Sequence, residues 1–200
     1  MKIDSAERQR LLELARASLS HGLSSGRALP IALQEWPAHL CEPAASFVTL
    51  RRADQLLGCI GSLEARRPLV QDIAENAYAA GTRDPRFAPL RPAELAEAVV
   101  EISVLTPPQA LSVASEWELL AQLRPGVDGL ILEWQGRCST FLPTVWRQLP
   151  RPSDFLGGLR LKAGLQAEFW ASGVTFYRYQ TISFREENMP RCQTGAGAPS

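Results

Sequence analysis

The sequence predicts an α+β fold, a mostly antiparallel sheet with flanking helices, and three observations predict it. Strand-forming runs come in pairs joined by short turns, at Ala53-Asp54-Gln55 and at Gln135-Gly136. Apolar residues at helical spacing recur between those pairs. Helices and strands are therefore interspersed, with at least two hairpins and no internal repeat. At 200 residues the chain suits one domain with a substantial core.

The elements follow in order. Asp4 and Glu7 are spaced as a capping box, Leu11, Leu12, Ala15 and Leu19 make one helical face, and Gly22 reads as the stop. Residues 24 to 43, punctuated by Pro30, Pro37 and Pro43, read as a connector with at most one short helix. Strands are expected at 46 to 51 and 56 to 62. A helix over 68 to 80 starts at Pro68, repeats Leu69, Ile73, Ala77 and Ala80, and stops at Gly81. "TRDPRFAPLRP" is a loop, "AELAEA" a short helix, and "VVEISVL" a strand with Glu101 and Ser103 on the face opposite Val100, Ile102 and Val104.

A helix at 112 to 123 comes next, then a hairpin through "DGLILEWQGRCSTFLP". "LPTVWRQL" and "SDFLGGLRLKAGL" read as helical, the second capped by Ser153, and "VTFYRYQTISF" as one long last strand. Residues 1–187 form the domain. The end, 188–200, is rich in Gly, Ala and Pro and is expected to be a disordered tail.

Composition narrows the function classes. Apolar residues make up 46% and charged residues 21%, and no apolar run approaches the roughly 20 residues a membrane-spanning helix needs. The N-terminus, "MKIDSAERQR", enters charged residues at once, so a cytoplasmic protein with no membrane contact is expected. The 21 basic and 21 acidic residues cancel, which removes any whole-molecule attraction for nucleic acid. The glycines match neither a P-loop nor a dinucleotide fingerprint. Cys41, Cys59, Cys138 and Cys192 contain no C-x-x-C pair, and with only His21 and His39 there is no metal-ligand spacing, so neither a metal nor a cofactor is expected.

One stretch stands out, "QLLGCIGS", where Gly58 and Gly61 frame Cys59. Free cysteine on a strand is commonly inert core filler. The functional reading is that the glycines strip the strand so that a ligand or a second backbone lies against it, with the thiol at the contact. An active thiol needs a cation or a base, and neither histidine is placed to serve. "TRDPRF" offers Arg83 and Arg86 around Asp84, either a solvated turn or an anion fork beside a cleft. Glu101 is either the wet side of a sheet or a carboxylate beside Cys59.

These blocks carry a resemblance. "LLGCIG", preceded by "ASFVTL" and followed by "RDPRFAPLRPAEL", "EISVLTPP", "GVDGLILEW", "STFLPTVW" and "YRYQTISF", resembles the AMMECR domain family, whose signature hexad is Leu-Arg-Gly-Cys-Ile-Gly. The signature transfers to Leu56, Gly58, Cys59, Ile60 and Gly61. Its arginine does not, because Leu57 stands there, and on a regular strand that guanidinium would share the face of Cys59. The resemblance implies a larger and a smaller lobe with a cleft near the hexad. In bacteria it implies protein A of the AmmeMemoRadiSam system, acting with a Memo-like protein and a radical S-adenosylmethionine protein. Two functions follow as expectations: a component docking on those partners, or a small-molecule-modifying enzyme with Cys59 as nucleophile, assisted by Glu101 or Asp84, and with Gly58, Gly61, Arg83, Asp84 and Arg86 around the ligand.

Overall fold

The structure, a computed structural model, describes residues 2–186. The tail expected at 188–200 lies outside the described residues. Helix α1 spans Ser5–Ser25 and α2 Leu69–Thr82. The Asp4 carboxylate accepts the Glu7 N–H at 2.8 Å and the Glu7 carboxylate accepts the Asp4 N–H at 3.0 Å, the reciprocal cap expected. Neither expected glycine stop ends its helix. Helix α1 continues to Gly26, whose φ of +74° supplies the left-handed cap, and α2 runs on to Arg83. Gly22 and Gly81 instead let the two helices approach: a Cβ on Gly22 would stand 2.2 Å from the Tyr78 ring, and one on Gly81 2.3 Å from Leu19 Cδ1. Pro68 sits at the N-cap of α2, and the connector holds two 3-10 turns, Leu33–Glu35 and Ala38–Leu40, one more than expected.

Strands β1 (Ser46–Arg52), β2 (Gln55–Gly61), β3 (Val99–Leu105) and β8 (Thr181–Arg185) form an antiparallel sheet in the order β2-β1-β3-β8. The inner face, Val48, Leu50, Val100, Ile102 and Val104, packs in one core with Leu11, Leu19, Ile73 and Ala77 of the two helices. The expected helix over 93 to 98 contracts to a 3-10 turn at Pro92–Glu94. Buried Asp72 accepts from the Ser46 N–H (2.9 Å), the Ser46 hydroxyl (2.6 Å), Asn76 Nδ2 (2.8 Å) and Arg67 Nε (2.9 Å), so the start of β1 is tied to α2 by a satisfied polar knot.

A second antiparallel sheet, in the order β4-β7-β5-β6, contains β4 (Gln109–Leu111), β5 (Gly129–Trp134), β6 (Arg137–Phe141) and β7 (Thr175–Tyr179). Gln135 and Gly136, with φ of +46° and +79°, make the expected two-residue turn between β5 and β6. Helices α3 (Glu116–Gln122) and α4 (Pro152–Lys162) cover one face, with Trp146 stacked on Phe155 at 3.8 Å between ring centroids. The helix expected at 112 to 123 is shorter, starting at Glu116 behind the Ser115 cap, and β4 directly precedes the expected span. Pro152 occupies the first turn of α4 with Arg151 as N-cap, displacing Ser153 from that role, and Pro143–Arg147 is a 3-10 helix.

The expected long last strand is two strands in different sheets. The residue types do carry a trace of the break, since Tyr177 and Tyr179 fall on odd positions whereas Ile182 and Phe184 fall on even ones, a slip of phase at Gln180 and Thr181. Gln180 donates its N–H to Thr106 Oγ1 and accepts the Thr106 N–H, both at 2.9 Å. Thr106, Pro107 and Pro108 carry the chain from β3 to β4, so two crossings between the sheets run side by side. Around them Ala45, Phe47 and Leu105 meet Ile131, Leu142, Tyr177 and Tyr179. The result is a larger lobe (α1, α2 and the first sheet) and a smaller lobe (α3, α4 and the second), with the outer faces of the sheets in contact.

Gly58 lies where α2 crosses β2, and a Cβ there would stand 1.9 Å from the Ala80 carbonyl oxygen. Backbone oxygen cannot rotate away, so Gly58→Ala is expected to cost about 1–3 kcal/mol by overpacking. Gly157 in α4 has only ordinary contacts, 3.7 Å to Ala167, and Gly157→Ala is expected to stabilise by up to about 1 kcal/mol through helix propensity. Urea unfolding of the two variants, with unchanged slope, checks the opposite signs.

Candidate functional site: the Cys59 edge of the interlobe cleft

Strand β2 is an edge strand, and the edge of a sheet leaves N–H and C=O groups to be satisfied by something other than a strand. At Cys59 the partners are Asp84 and Arg86. Asp84 Oδ2 accepts the Cys59 N–H at 2.8 Å, and Arg86 Nη2 donates to the Cys59 carbonyl at 3.1 Å. The two side chains also grip each other, with Arg86 Nε at 2.9 Å from Oδ1 and Nη2 at 2.7 Å from Oδ2. Asp84 reaches this position because α2 ends at Arg83 and the Asp84-Pro85 turn closes through the Phe87 N–H on the Asp84 carbonyl. The Asp84 side chain is 1% exposed and that of Arg86 57%. Hydrogen bonds from Arg86 hold the Asp84 carboxyl well below the usual carboxylate range, burial opposes, and the Cys59 N–H adds to the lowering.

The thiol itself sits on the outer face of the sheet, half-buried, at the margin of the interlobe contact. Residues facing each other across the ladder form a row, Cys59–Thr49–Glu101–Arg185. The Thr49 hydroxyl donates to Cys59 Sγ at 3.2 Å. Glu101 shares the row and the face, but Thr49 stands between, two strand spacings or roughly 10 Å separating the Glu101 and Cys59 backbones. The next row places Phe47 opposite Gly61, and a Cβ on Gly61 would stand 2.4 Å from the Phe47 ring, so that glycine gives the ring its path into the interlobe cluster. Gly58 admits the backbone of α2. Both glycines thus accommodate the protein's own atoms, and for Gly58 the contact lies on the face away from the thiol.

Leu57 does not share the face of Cys59. The ladder steps from Leu50↔Gly58 to Arg51↔Leu56, leaving Leu57 as the extra residue of a bulge, and its side chain packs against the larger-lobe core. A regular strand was the premise of the earlier expectation, and the bulge removes it.

The smaller lobe supplies what the sequence reading missed. Lys162, the last residue of α4, donates to the Thr140 carbonyl at 2.9 Å and lies 5.4 Å from the centre of the Phe141 ring. Burial, and next the positive Arg86, push its ammonium below the ordinary range, while Cys59 acts in the opposite direction. Arg86 from the larger lobe and Lys162 from the smaller lobe therefore both lie within electrostatic range of Cys59. The available signal was that Lys162 is one of only two lysines in the chain. The hydroxyl of Thr140 meets Tyr179 Oη at 2.8 Å, and burial pushes the Tyr179 phenol up to about 12.

The other predicted residues fall elsewhere. Arg83 stacks over Tyr78, its guanidinium carbon 4.8 Å from the ring centre. Arg52 pairs with Glu94 and Glu97, Arg66 with Glu64 and Arg67 with Asp72. His39 pairs with Glu7 at 2.9 Å. Among the described residues no group of three His, Cys, Asp or Glu converges as a metal site, and no helix is long and apolar enough to cross a membrane.

This architecture has known counterparts. The AMMECR1 family model matches residues 12–184. The chain belongs to the AMMECR1 family. Protein MK0488 of Methanopyrus kandleri is 36% identical over 197 residues, covering 93% of this chain and 91% of its own. Protein MJ0810 of Methanocaldococcus jannaschii is 36% identical over 180 residues, 86% of each chain. The crystal structure of the uncharacterized protein PH0010 from Pyrococcus horikoshii superposes with a TM-score of 0.87 at 31% identity, covering 94% and 95% of the two chains. These relatives are archaeal, so the bacterial setting expected above is not that of the family members found here. In this AMMECR1 chain the hexad is read by three different partners: α2 at Gly58, the core at Leu57 and Ile60, and the cleft at Cys59.

The clamp has a pH signature. A carboxylate with a depressed folded-state value adds stability above its unfolded value near 4, and that contribution is lost as pH falls through the folded value. Wild-type stability is therefore expected to drop below about pH 4. Asp84→Asn should flatten that acid limb and lower the plateau at neutral pH by about 1–3 kcal/mol, since Arg86 and the Cys59 N–H lose their charged acceptor. Urea midpoints measured across the acid range for both proteins check the sign.

Proposed function

We propose that this AMMECR1-family chain handles a small, negatively charged electrophile at Cys59. The observation that supports this reading is that Arg86 from the larger lobe and Lys162 from the smaller lobe both lie within electrostatic range of a cysteine held at both its backbone N–H and its C=O. Sequence reasoning placed the thiol second to a docking role for want of a base or cation, and the cleft supplies the cations. In the proposed step the sulfur lone pair forms a bond to an electrophilic carbon, the leaving group departs with its bonding pair, and the thiol proton passes to water. Thr49 orients the sulfur, while Arg86 and Lys162 hold the negative group of the substrate.

The docking reading remains a proposal alongside it: action with a Memo-like protein and a radical S-adenosylmethionine protein, as the resemblance implies. Trp117 and Leu161, 76% and 61% exposed on α3 and α4, are consistent with a covered surface on the smaller lobe. Failure of the purified chain to associate with either protein at micromolar concentration overturns that arm.

The thiol arm is tested by comparing alkylation with anionic iodoacetate and neutral iodoacetamide. Cys138 serves as the internal control, because burial, and next the negative charges of Glu133 and Glu64, push its thiol up. The iodoacetate-to-iodoacetamide rate ratio is expected to be about tenfold higher at Cys59 than at Cys138 at low salt, and to fall as salt is added. Lys162→Ala should reduce the ratio at Cys59 and leave Cys138 unchanged. Equal ratios at the two sites, or protection of Cys59 until unfolding, would end this reading.

A further inference from the structure

A hollow of about 280 Å³ opens where the two crossings between the sheets meet the smaller lobe. Its cations are Arg124, just after α3, and Arg178 on β7, and among the described residues lining it none is acidic. The two guanidinium groups are held close to each other, because both lie within 4.0 Å of one carboxylate, that of fully buried Asp128. Arg124 reaches Oδ1 at 2.6 Å and Arg178 reaches Oδ2 at 4.0 Å. Two positive charges therefore share one negative charge, and the surplus borders a hollow with no acid in its described lining.

The unused donors are of the kind that binds carboxylates. Arg124 spends Nε and Nη2 on Asp128, and its backbone N–H on the same carboxylate at 2.9 Å. Arg178 donates from Nη1 to the Gln122 carbonyl at 3.3 Å. The Nε–Nη2 edge of Arg178, a pair of parallel N–H groups that matches the two oxygens of a carboxylate, has no partner among the described residues. Nη1 of Arg124 has none either. The frame carrying these donors is fixed. Trp146 donates to the Asp128 carbonyl at 2.7 Å, and the Asp128 N–H closes the turn on the Arg124 carbonyl at 3.1 Å. Thr106 Oγ1 accepts the Gln180 N–H at 2.9 Å, which leaves the Thr106 hydroxyl hydrogen to donate. Gln109 and Gln180 add two carboxamides, and Pro107 and Tyr179 complete the lining.

We infer that this hollow binds a small monocarboxylate bearing a hydroxyl group, its carboxylate on Arg178 and Arg124 and its hydroxyl among Thr106, Gln109 and Gln180. One surplus positive charge matches one carboxylate, whereas a phosphate dianion leaves a negative charge uncompensated. The volume lies just under the roughly 300 Å³ at which sites for drug-sized ligands begin, which suits an acid of a few carbons. A hydroxyl and two carboxamides both donate to and accept from an alcohol, so the polar part of the lining favours a hydroxy acid over its deoxy analogue. The partners of Cys59 are Thr49, Asp84 and Arg86, none of which lines this hollow, so the site is separate from the thiol.

Titration of the isotopically labelled chain with lactate, followed by NMR at the Nε–Hε signals of Arg124 and Arg178, tests the assignment without reading the thiol. Both signals are expected to shift and saturate together, with a Kd of about 1 mM. Lactamide removes the charge, propionate removes the hydroxyl and inorganic phosphate changes the anion; each is expected to bind at least about threefold more weakly than lactate. Gln109 is exposed and stands directly opposite Arg178 in the β4–β7 ladder. Gln109→Glu therefore supplies Arg178 with an internal carboxylate of the same size, and should weaken lactate at least about tenfold with both arginines in place. Failure of the two signals to saturate, lactate binding unchanged in Gln109→Glu, or any of the three comparison ligands binding as tightly as lactate would overturn the assignment.

Discussion

The reciprocal pairing of Thr106 and Gln180 is the constraint on which the rest of the arrangement depends. At this point the chain crosses between the sheets twice, once through Thr106-Pro107-Pro108 and once through Gln180, and the two crossings are bonded to each other at 2.9 Å in both directions. Proline has no N–H to continue a ladder, so β3 cannot extend into β4 and the chain must change sheets. Fixing both crossings at one edge brings Ala45, Phe47 and Leu105 against Ile131, Tyr177 and Tyr179. Along β1 the contact fades from Phe47 to Thr49 to exposed Arg51, which is why Cys59, opposite Thr49, sits where the interlobe contact gives out.

The charges at that margin follow from fold positions more than from local motifs. Arg86 arrives with a loop whose carboxylate, Asp84, is committed to an edge-strand N–H. Lys162 arrives as the last residue of a helix, where a cation is favoured by the helix dipole and where the Thr140 carbonyl is within reach. Because Asp84 already neutralises part of Arg86, the cleft carries less than two full charges, and the uncompensated one belongs to Lys162. The lysine, not the arginine, is therefore the residue that decides whether an anion gains from approaching the thiol.

Much of the larger lobe was legible because its signals are local. The Asp4–Glu7 box, the hairpin around Ala53-Asp54 and the strand Val99–Leu105 each rest on residues within a few positions of one another. The errors came where a residue answers to a distant one. Gly22 and Gly81 look like stops in isolation, but their missing side chains are required by Tyr78 and Leu19 across the helix pair. Gln180 sits in an uninterrupted run of strand-forming residues while its hydrogen bonds go to Thr106, 74 residues away. At the site, the sequence brought Cys59, Asp84 and Arg86 to notice by type, but not the fact that the last two clamp the backbone of the first, and it did not associate Lys162 with them at all. Leu57 was misread because a bulge, invisible in a list of apolar residues, shifts the period by one.

The hexad around Cys59 can then be understood as a segment held from both sides. On one side Gly58 meets the Ala80 carbonyl so closely that the strand cannot move toward α2, and Leu57 and Ile60 anchor it in the core. At the free edge Asp84 and Arg86 take the N–H and C=O that would otherwise exchange with water or pair with another chain. What remains adjustable at Cys59 is the side chain alone, and Thr49 restricts that as well. An inert core thiol requires burial and nothing more. A thiol whose backbone is clamped at both polar groups, whose sulfur accepts a hydroxyl and whose surroundings carry cations from two lobes is organised beyond what packing demands, and that surplus of organisation is the physical argument for chemistry at this position.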